Sequence, residues 1–196
     1  MSTTERFSVP DWLASMPKVE LHVHLEGTLS PSTLWTLSRQ YGVDLGIEDE
    51  QFGASLFKYG DLTEFIETFT KCSDCLRTSA DLGGTVDAYV LDLSQQNVRY
   101  AELHFNPEPH FRRRGIAMED AQDHMNAARE RARQRNGIEL RWIADGVRDA
   151  ASGPVSVERT VDWIIEAGHE SGIVALGLGG NELGNPPGAF AAPFER

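Results

Sequence analysis

The chain has 196 residues, enough for one substantial hydrophobic core and short for two. Its apolar fraction of 40% and charged fraction of 24% are those of an ordinary globular protein, which excludes a disordered or collagen-like chain. A formal net charge of −12 argues against affinity for nucleic acid or anionic membranes, and no apolar stretch approaches the length of a membrane span.

The N-terminal residues Met1-Ser2-Thr3-Thr4-Glu5-Arg6 lack the apolar core of a signal peptide, so a cytoplasmic location is expected. The run Val19-Glu20-Leu21-His22-Val23-His24-Leu25-Glu26-Gly27 then reads as a strand. Side chains alternate between the faces of a strand, which puts His22 and His24 with Glu20 and Glu26, and Val19, Leu21, Val23 and Leu25 opposite. Two imidazoles two residues apart can grip one metal ion from the same side. They can equally be hydrogen-bonded histidines of a half-buried strand, because a metal site needs three or four ligands. The spacing leaves both readings open.

Ser30 and Pro31 read as the N-cap and first position of a helix with Leu34, Trp35 and Tyr41 on one face, stopped by Gly42. A loop with Glu48-Asp49-Glu50 follows. Asp61-Leu62-Thr63-Glu64 has the capping-box pattern, and Leu62, Phe65, Ile66, Phe69, Cys72 and Leu76 then recur at helical spacing. Cys72 and Cys75, the only cysteines, fall late in this helix. A redox C-x-x-C opens a helix after a strand, so inert, buried thiols are expected.

Val86, Tyr89, Val90 and Leu93 mark another helix, which leads into a strand over 98–106 closed by Pro107. Arg112-Arg113-Arg114 reads as a solvated loop. A long helix with Met118, Ala121, Met125, Ala128 and Ala132 on one stripe ends at Gly137, and a strand over 138–145 follows. Ser156 is taken as the cap of a helix with Val161, Ile164 and Ile165 inward, and a last strand covers about 173–178.

Four strands separated by amphipathic helices imply an α/β fold with parallel pairing through right-handed crossovers. Reactive side chains cluster at or just after strand ends, at 24–26, 104–106, Asp145 and 179–182. A (β/α)8 barrel collects ligands on that face from several strands, whereas an open sheet uses mainly one switch point. No linker or repeat divides the chain, so one domain over 1–196 is expected.

Four ordered blocks carry a family resemblance. Pro17-Lys18-Val19-Glu20-Leu21-His22-Val23-His24-Leu25-Glu26-Gly27-Thr28-Leu29 resembles the opening strand of the adenosine deaminase family of metal-dependent amidohydrolases. Asp61-Leu62-Thr63-Glu64-Phe65-Ile66-Glu67-Thr68-Phe69 is similar to its substrate-covering helix. Val98-Arg99-Tyr100-Ala101-Glu102-Leu103-His104-Phe105-Asn106-Pro107 is similar to its second strand, and Leu178-Gly179-Gly180-Asn181-Glu182 to its fourth.

The resemblance implies an incomplete (β/α)8 TIM barrel of the first four βα units, with extra helices between strands 1 and 2. It implies hydrolytic deamination of a purine, adenosine to inosine and ammonia, on one zinc ion. By position it implies His22 and His24 as zinc ligands, Glu26 as the acidic residue facing the sugar end of the substrate, and Gly180 as a backbone N–H donor to a purine ring nitrogen. Leu62, Phe65, Ile66 and Phe69 would form an apolar lid. Zinc would supply a water acidified to near neutral pH, and the lid would exclude bulk water from it.

The departures are also informative. The family's later H-A-G-E strand, further histidine and Asp-Asp pair have no matching position here. The proton-shuttling glutamate, the histidine beside the attacking water and two zinc ligands are therefore not found, and no catalytic residue is assigned. The expectation is the N-terminal part of a deaminase barrel, truncated after strand 4, inactive alone, with unpaired apolar edges open to self-association. Glu26 in place of Asp suits adenine and aminodeoxyfutalosine deaminases at least as well as adenosine deaminases. Gly177 stands where the family has an aspartate. Adenosine is ranked first and adenine next.

Rival readings come from other classes. His24-Leu25-Glu26 with Cys72-Ser73-Asp74-Cys75 echoes the cytidine-type deaminases, but Lys71 replaces their proline and the cysteines lie at the wrong end of a helix. Gly177-Leu178-Gly179-Gly180-Asn181-Glu182 falls one glycine short of a dinucleotide fingerprint. A non-catalytic remnant serving as a binding or interaction protein is the remaining alternative.

Overall fold

The computed structural model of the chain describes residues 9–49, 55–148 and 153–196, so the N-terminal hexapeptide and Glu50 named above lie outside the described residues. Strands β1 (Lys18–His24), β2 (Val98–Phe105), β3 (Glu139–Val147) and β4 (Ile173–Gly179) form one parallel sheet in the order β1-β2-β3-β4. The helices are α1 (Asp11–Ser15), α2 (Pro31–Tyr41), α3 (Leu62–Asp74), α4 (Ser79–Gln95), α5 (Met118–Arg131) and α6 (Pro154–Ala167). Neighbours in space are neighbours in sequence, which is the winding of a barrel and has no switch point. The chain therefore forms an incomplete (β/α)8 barrel, with α2, α3 and α4 between its first two strands.

Local signals place most of these elements. Ser30 Oγ accepts from the Thr33 N–H at 3.1 Å, and Gly42 ends α2 in the left-handed conformation at φ 66°. Asp61 Oδ1 accepts from the Glu64 N–H at 2.9 Å, but Glu64 Oε2 turns to the Gly60 N–H at 2.7 Å, so the box closes one residue early. A full capping box, Thr78 with Asp81, starts α4 and was not among the signals drawn from the sequence.

Two sequence expectations for α6 are corrected. The helix begins at Pro154 after Gly153, so Ser156 lies inside the first turn and not at the cap. Its buried Oγ donates to Val147 O at 3.0 Å and Gly153 O at 2.9 Å, tying the helix start to the end of β3. Ile165 is 59% exposed and faces away from the core. The arginine cluster is corrected as well. Pro109–Arg113 is a π-helical turn, and the buried Arg114 side chain pairs with Asp74 of α3.

The core lies between the sheet and its helices. Ala101, Leu103 and Phe105 of β2 and Leu140, Trp142 and Ala144 of β3 join Leu82, Val86, Val90 and Leu93 of α4 and Ala121, Met125 and Ala128 of α5 in one buried cluster. Alternation along β2 sends Tyr100, Glu102 and His104 to the other face, the inside of the barrel.

β1 departs from simple alternation. Glu20 pairs with Ala101 and Val23 with Leu103, so two residues of β1, Leu21 and His22, lie across from Glu102. Such a bulge shifts the face of everything before it. Glu20 thus turns to the helix layer, where it accepts from the Tyr89 hydroxyl of α4, and does not share the face of His22 and His24. Of the four apolar residues, Leu25 is in the core and Val23 packs on it, while Val19 and Leu21 are 63% and 55% exposed. β1 and β4 are the edges of the sheet, and β4 likewise exposes Val174. No helix among the described residues is long and apolar enough to cross a membrane.

Candidate active site

His24 at the end of β1 pairs in register with His104 at the end of β2, and the bulge places His22 beside them. One ring nitrogen from each of the three lies within 4.8 Å of the others. Ring centroids are 4.4 Å apart for His22 and His104, 4.9 Å for His24 and His104, and 5.4 Å for His22 and His24. Asp145, two residues from the end of β3, organises the group. His104 Nδ1 donates to its Oδ1 at 3.0 Å and Oδ2 at 3.1 Å.

His24 Nδ1 lies 3.5 Å from Asp145 Oδ2 and is buried without a hydrogen bond. That approach would be an ion pair only for a charged imidazole, and burial pushes the His24 pKa down, outweighing the pull of Asp145 and Glu26. Burial also raises the Asp145 pKa, against the opposing bond from His104. Three clustered imidazoles, one with an orphaned buried nitrogen and one held by a carboxylate, make a donor set that suits a zinc-type ion.

Asp145 has room because of its neighbour. It pairs in register with Gly177 on β4, and a Cβ at 177 would lie 1.9 Å from Asp145 Oδ1. The space that a side chain at 177 would occupy is filled by the β3 carboxylate. An acid on the inner face is thus present, but it comes from the adjacent strand.

Glu26, two residues after His24, is fully buried. Its Oε1 accepts from the Asn106 N–H at 3.1 Å, Asn106 Nδ2 at 3.4 Å and His110 Nε2 at 3.2 Å, while Oε2 makes no hydrogen bond. Burial pushes the carboxyl pKa up, but the bond and charge of His110 with the Asn106 N–H outweigh it, leaving the pKa below the ordinary carboxylate value. His110 Nδ1 in turn accepts from Arg114 Nη1 at 3.2 Å. A continuous polar chain therefore runs from Glu26 through His110 and Arg114 to Asp74 on α3.

A cleft of about 230 Å³ opens beside His24. Its wall includes His24, Leu62, Phe65, Ile66 and Phe69 from α3, Asn106 after β2, Arg113 and Arg114, and Gly179 and Gly180 at the end of β4. Phe69 meets the His24 ring edge-on at 5.7 Å. His22 lines an adjoining space of about 250 Å³ with Phe57, Tyr59 and Phe65. The fold thus brings His24, the four apolar residues of α3 and Gly180 to one cavity. Glu26 stays out of the wall and reaches it through Asn106 and, by way of His110, through Arg114.

His104, Asp145 and His110 were not assigned from the sequence. His104 and Asp145 carried a weak signal as polar residues at consecutive strand ends, but only the strand order puts them 3.0 Å apart. His110 carried none. Cys72 and Cys75 are free and buried, and burial pushes their thiols up to about 11 and about 12. Neither belongs to the histidine cluster, although Cys72 lines the space beside His22.

A family model described as adenosine deaminase matches residues 17–196. Adenine deaminase from Bordetella parapertussis is 34% identical over 186 residues, covering 95% of this chain and 57% of the relative. Adenine deaminase from Streptomyces coelicolor is 33% identical, covering 94% and 53%. The crystal structure of an adenine deaminase from Arthrobacter aurescens superposes with a TM-score of 0.81 at 28% identity, over 92% of this chain and 54% of that one. An amidohydrolase from Burkholderia ambifaria with bound zinc, 23% identical, shares the fold at a TM-score of 0.82 over 98% and 53%. The chain spans about half the length of the relatives it matches.

Proposed function

This chain belongs to the adenosine deaminase family, and we propose that it forms the first half of a zinc-dependent purine deaminase that hydrolyses the exocyclic amino group of a 6-aminopurine to release ammonia. The observation that carries this reading is the single cleft shared by His24, Leu62, Phe65, Ile66, Phe69 and Gly180. In the proposed reading a metal-ligand histidine, an apolar cover and a backbone donor converge there on a space for one small planar ligand.

In this reading His22 and His24 hold one zinc ion, the α3 side chains cover the base and exclude water, and the Gly180 N–H orients a ring nitrogen. Glu26 positions Asn106 and the strand end, rather than touching the ligand. Adenine moves ahead of adenosine, with aminodeoxyfutalosine behind. The support is that relatives at 33–34% identity are adenine deaminases and that the acidic residue is Glu. Residues 1–196 act as the N-terminal part of one barrel domain in the cytoplasm. The exposed apolar edges at Val19, Leu21 and Val174 suit pairing with further strands, from the rest of a barrel or from a second copy.

Deamination belongs to the completed barrel, and a polypeptide of these 196 residues alone is expected to turn over little. The test is ammonia release from adenine and from adenosine, measured on the 196-residue chain and on the polypeptide that the natural reading frame encodes around it. Deamination of neither compound by the latter overturns the enzyme reading in favour of a non-catalytic binding protein. Ordinary turnover by the former overturns the half-barrel reading.

A further inference from the structure

We infer that His104 is a third metal ligand, so that His22, His24 and His104 form a three-imidazole zinc site contained within the first four strands. The resemblance assigns only His22 and His24, which by themselves hold zinc weakly. The inference deepens the deaminase reading and rests on it for the choice of zinc.

The geometry supports ligation in three ways. The candidate nitrogens of the three rings lie within 4.8 Å of one another, against the roughly 3.3 Å between ligand nitrogens of a tetrahedral site with Zn–N near 2.0–2.1 Å. The His104 Nδ1–H is committed to Asp145, which leaves Nε2 to ligate and reproduces the carboxylate–histidine–metal arrangement that fixes tautomer and ring orientation. Asp145 is itself buried and held in a space that exists only because residue 177 is glycine. The same carboxylate stands 3.5 Å from His24 Nδ1, without a hydrogen bond to it, so the acid holds one ring and adjoins a second.

A histidine oriented by an aspartate can also be a proton carrier, but then it would face the cleft. His104 is absent from the cleft wall and packs at 4.4 Å and 4.9 Å against the two histidines already read as ligands.

The experiment uses the 196-residue chain, stripped with chelator and titrated with zinc by competition calorimetry, with X-ray absorption at the zinc edge to count imidazoles. One zinc per chain on three imidazoles is expected. His104→Ala should weaken binding by about tenfold to a hundredfold, and Asp145→Asn by about tenfold with the count still three. His124→Ala, an exposed histidine on α5, should change nothing. Should His104→Ala lose its far-UV circular dichroism, the imidazole count of the unaltered chain and the affinity of Asp145→Asn decide. Two imidazoles, no zinc bound, or unchanged affinity in folded His104→Ala overturns the inference. Those outcomes leave the deaminase reading standing, whereas three imidazoles without deamination by the completed barrel would defeat that reading alone.

Discussion

Asp145 on β3 and Gly177 on β4 stand opposite each other, and the Asp145 carboxylate occupies the space that any side chain at 177 would need. The family resemblance places an aspartate at 177. Here the inner face keeps an acid at that level, moved by one strand, and with it comes a bond to His104.

Gly177→Ala should therefore destabilise the metal-free chain by about 1–3 kcal/mol, since the new Cβ and the carboxylate cannot both stay where they are. Asp145→Ala frees the space, so adding Gly177→Ala to it should cost far less than it does alone. Urea unfolding of the two single variants and the double variant measures this coupling. Additive losses would show that the two positions do not share the space.

Glu26 makes stability depend on acid. Its carboxyl pKa lies below the ordinary 4.5 in the fold, so the unfolded chain takes up that proton more readily than the folded one. The stabilisation is fully present above that value and is lost as pH falls from there through the lower folded value. Asp145, raised from 3.8, acts in the opposite sense, so the contrast between the unaltered chain and Glu26→Gln isolates the Glu26 component. Urea midpoints between about pH 5 and pH 3 should fall less steeply in Glu26→Gln. Equal slopes would refute the assignment.

His110→Phe keeps the ring that stacks on Phe105, 5.2 Å between centroids, and deletes the donor to Glu26. With Glu26 left buried beside an apolar edge, a loss of about 2–3 kcal/mol is expected in thermal or urea unfolding. A loss below about 0.5 kcal/mol would mean that Asn106 alone satisfies the carboxylate.

Phe65 and Phe69 should matter for ligand more than for folding. Phe65 is 38% exposed and lines the cleft, so Phe65→Ala should cost little stability while, under the proposed purine-deaminase function, weakening adenine binding by about tenfold. Phe69→Ala, which also removes the edge contact to His24, should weaken it further. Calorimetric titration of the zinc-loaded chain with adenine checks both. Unchanged affinity in the two variants would remove α3 from the binding surface.

Cys72 and Cys75 should resist thiol reagents in the native chain. With their thiols pushed up to about 11 and about 12, only about one thiolate in a thousand or fewer exists at pH 8, and both are buried. Labelling should be slow until denaturant is added. Fast native labelling of either would show that the end of α3 opens.

The helices and strands were legible because their signals are local. Ser30 with Gly42, Asp61 before α3 and the apolar stripe of α5 act within a few residues, and periodicity then assigns a face. Glu20 and Ile165 show where that reasoning failed. The face of Glu20 depends on a bulge against β2, which alternation within β1 cannot reveal. Ile165 lies on a helix whose outward side the local pattern did not mark.

By itself the sequence determined four strands with helices between them, the family motifs, and His22 and His24 as a pair, because strand period, caps and short spacings are properties of adjacent residues. The tertiary structure alone decided that His104 joins that pair, that Asp145 braces it through the gap at Gly177, and that Glu26 is sealed against His110. Those relations join residues far apart in the chain, His104 and Asp145 by 41 positions and Glu26 and His110 by 84. They are set by strand order, register and a missing Cβ, which exist only once the sheet has formed.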